Sequence, residues 1–260
     1  YIAVIRNLRE YATDYARFDR IGANGAVTPV RKYDMTELEL KFRYGKNEKF
    51  YQTHDERIPI TYDALIFNLE HTMSKKGFLG SLYDYHRTEL GIQKRLWFSA
   101  FGFVDVIGKA GKVWNKVPYP LLILPNANLT YTIQPEAYTN MNAIEFINDE
   151  YISWDGTYYM NGLILNRLPL IKKLKWREVL CFRGLWGHLT DKNNPMKTGE
   201  GLYAFPVGSG VMGRAPYMEA SVGIENIFKF MRLDYVWRLN YRDHSGIQKR
   251  GIRCTMSLSF

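Results

Sequence analysis

Between Met231 and Asp243 the side chains alternate with a period of two, and only an extended strand with two unlike faces satisfies that rhythm. Leu233, Tyr235, Trp237, Leu239 and Tyr241 fall on one side. Arg232, Asp234, Arg238, Asn240 and Arg242 fall on the other, with Val236 the one apolar residue among them. A helix, at 3.6 residues per turn, would mix the two sets. The final segment repeats the pattern, setting Ile252, Cys254, Met256, Leu258 and Phe260 against Gly251, Arg253, Thr255, Ser257 and Ser259. The sequence ends on Phe260, the aromatic terminus expected of a strand that closes a barrel.

Earlier segments carry the same signal. Met35 to Tyr44 alternates Leu38, Leu40, Phe42 and Tyr44 against Glu37, Glu39, Lys41 and Arg43, and Tyr62 to His71 aligns Leu65, Phe67 and Leu69. Asp84 to Lys94 and Trp97 to Ala110 read as one hairpin. Ala143 to Trp154 and Thr157 to Asn166 read as another, turning at Asp155-Gly156, a strong two-residue turn signal. Lys175 to Thr190 and Pro216 to Asn226 complete the set, with Tyr1 to Leu8 and Tyr11 to Arg20 as two further candidates. The expectation is about twelve strands, each near the ~10 residues a spanning strand needs. Short turns (Arg167 to Leu174, Ile227 to Phe230) alternate with long connections (Lys112 to Asn142, Asp191 to Ala215). A barrel would place the first kind in the periplasm and the second outside the cell.

Composition decides between the two all-β architectures that alternate in this way. Aromatic residues make up 15% of the 260 residues, with 19 Tyr, 14 Phe and 6 Trp, yet mean hydropathy is −0.30. A soluble sandwich would have to bury these rings and would favour Val, Ile and Leu inside. A barrel in lipid displays aromatic girdles outward and keeps a polar lumen. No stretch approaches the ~18 apolar residues of a spanning helix. The fold class expected is an all-β, antiparallel transmembrane β-barrel. Residues 1–260 read as a single domain of the bacterial outer membrane, in contact with its lipids and lipopolysaccharide. No signal peptide is visible, so the chain reads as a mature or truncated one.

Candidate chemistry is sparse. Arg232, Asp234, Arg238 and Arg242 are expected to face the lumen, as a selectivity surface or an interior salt-bridge network, and the latter is preferred. The same holds for Glu37, Glu39, Lys41 and Arg43, and for Arg87 with Glu89. Ile252, Met256, Leu258 and Phe260 are expected on the lipid face of the closing strand. Glu145, Asp149 and Glu150 form the densest acidic cluster and read as ordinary rim charge. The five histidines, His54, His71, His86, His188 and His244, never take a metal-binding spacing. Gly208-Ser-Gly210 lacks the flanks of a nucleophile elbow, and Gly108 with Gly111 is not a phosphate loop. Cys181 and Cys254 read as free thiols facing lipid. The net charge of +9 is scattered, so lysines beside lipid phosphates account for it without nucleic acid. No catalytic, cofactor or metal site is expected.

From Tyr44 to Phe260 the chain resembles a Bacteroidota family known as domain of unknown function 5686. The likeness is carried by Lys112-Val-Trp-Asn-Lys-Val-Pro-Tyr-Pro-Leu-Leu122, Met141-Asn-Ala-Ile-Glu-Phe146, Asn161-Gly-Leu-Ile-Leu-Asn-Arg-Leu-Pro-Leu170 and Lys172-Lys-Leu-Lys-Trp-Arg-Glu178. Pro216-Tyr-Met-Glu219, Gly223-Ile-Glu-Asn226 and Val236-Trp-Arg-Leu-Asn-Tyr-Arg-Asp243 continue it. The resemblance implies a C-terminal barrel portion that follows a carboxypeptidase-regulatory-like domain. More distantly, Arg177 to His188 and Tyr217 to Tyr241 look like the outer-membrane protein 85 superfamily of BamA and TamA, whose barrels have sixteen strands. That superfamily's Arg-Gly-Phe loop tip is absent; Lys112 to Asn142 offers Pro118-Tyr-Pro120 and Pro125-Asn126 instead. The function expected is a non-enzymatic role in envelope or outer-membrane protein assembly, or as a scaffold for a protein partner. A pore or uptake component is the alternative.

Overall fold

A computed structural model describes residues 18–22, 25–30, 33–52, 57–244 and 246–256. The strands are β1 (Phe18–Ile21), β2 (Val27–Val30), β3 (Leu38–Lys46), β4 (Phe50–Gln52), β5 (Arg57–Pro59), β6 (Leu65–Ser74), β7 (Tyr85–Trp97) and β8 (Phe103–Val113). They continue with β9 (Glu150–Tyr159), β10 (Arg177–His188), β11 (Tyr217–Ile227), β12 (Met231–Arg238) and β13 (Arg250–Met256). Nine of them form one sheet in the order β13-β12-β11-β10-β9-β8-β7-β6-β3, and β1/β2 and β4/β5 are separate hairpins. Every pairing is antiparallel. The protein is therefore all-β, and the expected dozen strands resolve into a nine-stranded meander with two short hairpins. Among the described residues the sheet is open, with β3 and β13 at its edges. No helix among them is long and apolar enough to cross a membrane. The expected strand Tyr1 to Leu8, and Tyr11 to Arg20 apart from the start of β1, lie outside the described residues, as do Leu258 and Phe260.

Register explains why the alternation extends over so much of the chain. Directly paired residues share a face. Phe42 pairs Leu69, Leu69 pairs Leu90, Leu90 pairs Ala110 and Ala110 pairs Ile152. Across the other half Leu180 pairs Val222, Val222 pairs Tyr235 and Tyr235 pairs Ile252. One face of the sheet is thus apolar from edge to edge, and Phe42, Ile92, Ile152, Phe182, Val222, Ile252 and Met256 on it are exposed. The opposite face carries Glu39, Lys41, Arg43, Glu70, Glu89, Asp105, Asp155, Arg183, Glu219, Asp234 and Arg238.

The apolar core does not lie under the exposed face. It forms where the connections at one end of the sheet fold back onto the polar face. Val113, Val117, Leu121, Leu122, Ile123 and Ile147 pack there with Tyr33, Met35 and Tyr203. A second cluster gathers Tyr138, Met141, Phe146, Leu185, Met212 and Tyr217. Each fully buried Leu, Ile or Phe contributes about 1.5–3 kcal/mol, so the connections are fixed by hydrophobic burial as well as by the polar contacts described below.

Two readings of the sequence are corrected. Asp155-Gly156 is not a turn. β9 runs straight through it, pairing Asp155 with Arg183 and Gly156 with both Phe182 and Val106. The two-residue turn that Asp-Gly favours needs positive φ at its central positions, and neither residue adopts it. Asp155 instead projects to the polar face and pairs with Arg183 at 3.0 Å. Arg242 is not a strand residue, because β12 stops at Arg238 and Arg242 sits exposed in the connection to β13. The expected alternation of connections holds only in part. Segments 47–64, 98–102, 160–176 and 228–230 join strands of the sheet at one end, and 75–84, 114–149, 189–216 and 239–249 at the other. The two longest, 114–149 and 189–216, share an end, but 47–64 and 160–176 are longer than 75–84 and 239–249.

Candidate functional site: a charged face and the connection docked on it

Ion pairs cover the polar face, some between neighbouring strands and some along a single strand. Arg95 and Asp105 stand opposite each other on β7 and β8, bonded at 2.6 and 2.7 Å, with the guanidinium 4.0 Å from the Phe103 ring centre. Lys41 sits 3.1 Å from Glu39 and 3.5 Å from Glu70 on the next strand. Arg87 bonds Glu89 at 2.5 Å. Arg232 forks onto both oxygens of Asp234 at 2.7 and 2.8 Å. Their charges are neutralised locally, as a salt-bridge network requires and a single-sign selectivity ring does not.

Connection 114–149 lies across this face and is held by contacts from the four strands β10 to β13 and from neighbouring connections. The centre is Arg238, 2% exposed. Its guanidinium donates to Glu145 at 2.5 and 2.9 Å, to the carbonyl of Asn140 at 3.0 Å, and to those of Asn240 and Tyr241 at 3.1 and 2.7 Å. It also lies 4.8 Å from the Tyr217 ring centre. Glu145 further accepts the Asn142 amide at 3.0 Å and meets Nδ1 of His244 at 2.8 Å. Burial alone would raise the Glu145 pKa. The bonds from Arg238, Asn142 and His244 outweigh it and hold the carboxyl below its usual range. The preceding residue, Ile144, has a φ of 56°, a left-handed backbone that a β-branched residue takes only when its surroundings enforce it.

Glu219 on β11 accepts the amides of Thr139 and Asn140 at 2.9 and 2.6 Å and the Tyr217 hydroxyl at 2.7 Å. Arg253 on β13 donates to the Thr139 carbonyl at 2.7 Å, and Arg183 on β10 to the Ala137 carbonyl at 2.5 Å. The Tyr138 hydroxyl donates to the Gly184 carbonyl at 2.9 Å, and burial pushes its pKa well up. Farther along, Asp149 accepts the Thr190 amide at 3.0 Å and the Asn193 side chain at 2.8 Å, and it also bonds the Thr190 hydroxyl. The same connection reaches the sheet edge. Cys254 donates its amide to Tyr131 at 2.9 Å, and its carbonyl accepts Ile133 at 3.1 Å, so residues 131–133 cap the outward edge of β13.

This arrangement is built to hold a segment still. A cavity of about 130 Å³ remains between the connection and the sheet, lined by Arg87, Glu89, Lys109, Glu136, Asp155 and Arg183. Its charges are paired, Lys109 with Glu136, Arg87 with Glu89 and Arg183 with Asp155. Among the described residues no three His, Cys, Asp or Glu side chains come together as a metal site.

The expected residues are distributed as follows. Arg232, Asp234 and Arg238 share the polar face, and of the three Arg238 docks the connection. Ile252 and Met256 lie exposed on the apolar face. The rim-charge reading of Glu145 and Asp149 is overturned, since both are buried and bonded as above; Glu150 pairs with Lys112 at 2.5 Å. Cys181 does not face lipid. It pairs Thr157 and Ser221 on the polar face and is buried, whereas Cys254 pairs Leu233 on the apolar one; both are free thiols. Sequence reading missed Glu219, Arg183 and Arg253. The available signal was a charge on the polar side of a strand within reach of a connection, but only the folded connection shows which charges it uses.

A meander that is apolar on one face, ion-paired on the other and crossed by its own connection is an all-β antiparallel protein whose polar face is occupied by its own chain. The chain belongs to the family of unknown function DUF5686: the model of that family's C-terminal domain matches residues 12–194. The match covers β1 to β10 and connection 114–149, while β11, β12 and β13 follow it. It does not carry the wider likeness to the outer-membrane protein 85 superfamily. No curated protein matches the chain.

Proposed function

We propose that this chain forms a wall of a transmembrane β-barrel in the bacterial outer membrane and acts there without catalysis, as an assembly factor or a scaffold for a protein partner in the envelope. The carrying observation is the face that runs without interruption from Phe42 on β3 to Ile252 on β13, apolar and exposed. A soluble protein rarely leaves so large a contiguous apolar surface in water, whereas a barrel wall needs one against acyl chains and lipopolysaccharide. Connection 114–149, bonded to β10, β11, β12 and β13, supports a plugged interior over an open pore.

The test has two parts. The protein is extracted in detergent and run on a gel with and without boiling; a band that shifts on heating is expected, and a protein soluble without detergent would sink the reading. Planar bilayers then separate scaffold from pore. Silence is expected, and a steady open state whose selectivity changes with Arg238→Gln would favour transport instead.

A further inference from the structure

Connection 160–176 has an unusual make-up. From Met160 to Arg177 it carries Arg167, Lys172, Lys173, Lys175 and Arg177 with no acidic residue, between Ile164, Leu168, Leu170 and Leu174. Single exposed leucines occur in other connections too, such as Leu129, but a group of them among basic residues is a different surface. Here Leu170 is 84% exposed, and Ile164, Leu168 and Leu174 are exposed too, beside exposed Lys172, Lys173 and Lys175. The segment is held in this pose. Glu178 accepts the amides of Ile164 and Leu165, and the Asn226 side chain donates to the Lys175 carbonyl at 2.7 Å.

That last bond joins it to the neighbouring turn at the same end of the sheet, where Phe228 and Lys229 have φ of 52° and 71°. Such a turn favours Asn-Gly. This one keeps an aromatic and a cation, with Phe228 75% exposed. Both features lie just past Leu180 and Val222, where the exposed apolar face ends.

We propose that connection 160–176 and the Phe228-Lys229 turn form a foot that seats the protein on an anionic phospholipid leaflet. The leucines and Phe228 enter the acyl boundary while Lys172, Lys173, Lys175 and Lys229 hold headgroup phosphates. A basic, apolar surface segment continuous with a lipid-facing wall is complementary to that surface in both charge and depth. The assignment also orients the protein, because the end opposite the foot carries the two longest connections, 114–149 and 189–216. It rests on the barrel reading above.

The test uses the folded full chain with Cys181→Ser and Cys254→Ser, labelled with an environment-sensitive dye at Leu170→Cys or, at the other end, Val207→Cys. It is inserted into vesicles of phosphatidylcholine with or without phosphatidylglycerol. In the anionic vesicles the dye at 170 should be quenched by brominated lipid and shielded from iodide, while the dye at 207 remains open to iodide. Each lysine should favour the seated state roughly fivefold, so Lys172→Gln, Lys173→Gln and Lys175→Gln together should lower the ratio of seated to unseated protein about a hundredfold. Half-molar salt should act in the same direction.

A dye at 170 that stays open to iodide in anionic vesicles, while the inserted protein still shows its heat-modifiable band, overturns the foot alone. Equal shielding with and without phosphatidylglycerol overturns the headgroup assignment. Shielding found only in native outer-membrane fragments gives the surface to a protein and overturns it too. Absence of the heat-modifiable band defeats the barrel reading first, and the foot with it.

Discussion

Removing Glu145 should strand a deeply buried charge of the polar face. Side chains of Arg238 and Glu145 are 0% and 1% exposed, so Glu145→Ala leaves a guanidinium in a site without its counter-charge. Breaking a buried pair from one side costs about 3–5 kcal/mol, and Arg238→Met should cost a similar amount. The double variant leaves no uncompensated charge. It loses the bonds from Arg238 to the Asn140, Asn240 and Tyr241 carbonyls, each about 0.5–1.5 kcal/mol, for a total of about 2–4 kcal/mol. The singles should therefore sum to clearly more than the double, with a coupling of at least about 2 kcal/mol. Guanidinium unfolding of the four proteins in one detergent, followed by tryptophan fluorescence, measures all three differences. If each single variant costs under about 1 kcal/mol, or the two simply add, then the pair does not dock the connection and the account of connection 114–149 is wrong.

Three further outcomes are expected. Because the folded Glu145 carboxyl titrates below its ordinary 4.5, its contribution is complete above that pH and is lost as pH falls through the lower folded value. The acid limb of the stability profile should flatten in Glu145→Gln, and an unchanged limb would contradict this. Phe182→Arg, at mid-height on the apolar face, should destabilise the protein in vesicles by about 2–4 kcal/mol and far less in water-exposed positions such as Val207→Arg; equal effects would argue against lipid contact. A Cβ at Gly223 would fall on the Asp234 carboxylate and 3.0 Å from the Leu233 carbonyl, so Gly223→Val should cost about 1–3 kcal/mol by chemical unfolding, whereas the open Gly210 should tolerate Ala.

Strand identity was largely legible because it follows from alternation, which is local. Met231 to Arg238 and Arg177 to His188 could be read directly, since each side chain's face depends only on its parity along the strand. The failures have equally physical causes. Asp155-Gly156 carries a turn signal, yet two long neighbours, β8 and β10, supply ladder bonds on both sides and Arg183 supplies a partner for the carboxylate. Cross-strand pairing outweighed a local preference. Glu145 and Asp149 were legible as acidic and nothing more. Their burial depends on where Arg238 and Thr190 lie, 93 and 41 residues away along the chain, and no spacing rule spans those distances.

Sequence alone determined that this is a chain of two-faced strands, apolar on one side and charged on the other, because a strand's two faces are written into every second residue. Only the tertiary structure decided that the charged face is occupied and which charges occupy it. Docking of connection 114–149 joins residues whose partners are chosen by the register of nine strands, a property of the whole sheet that no single segment carries.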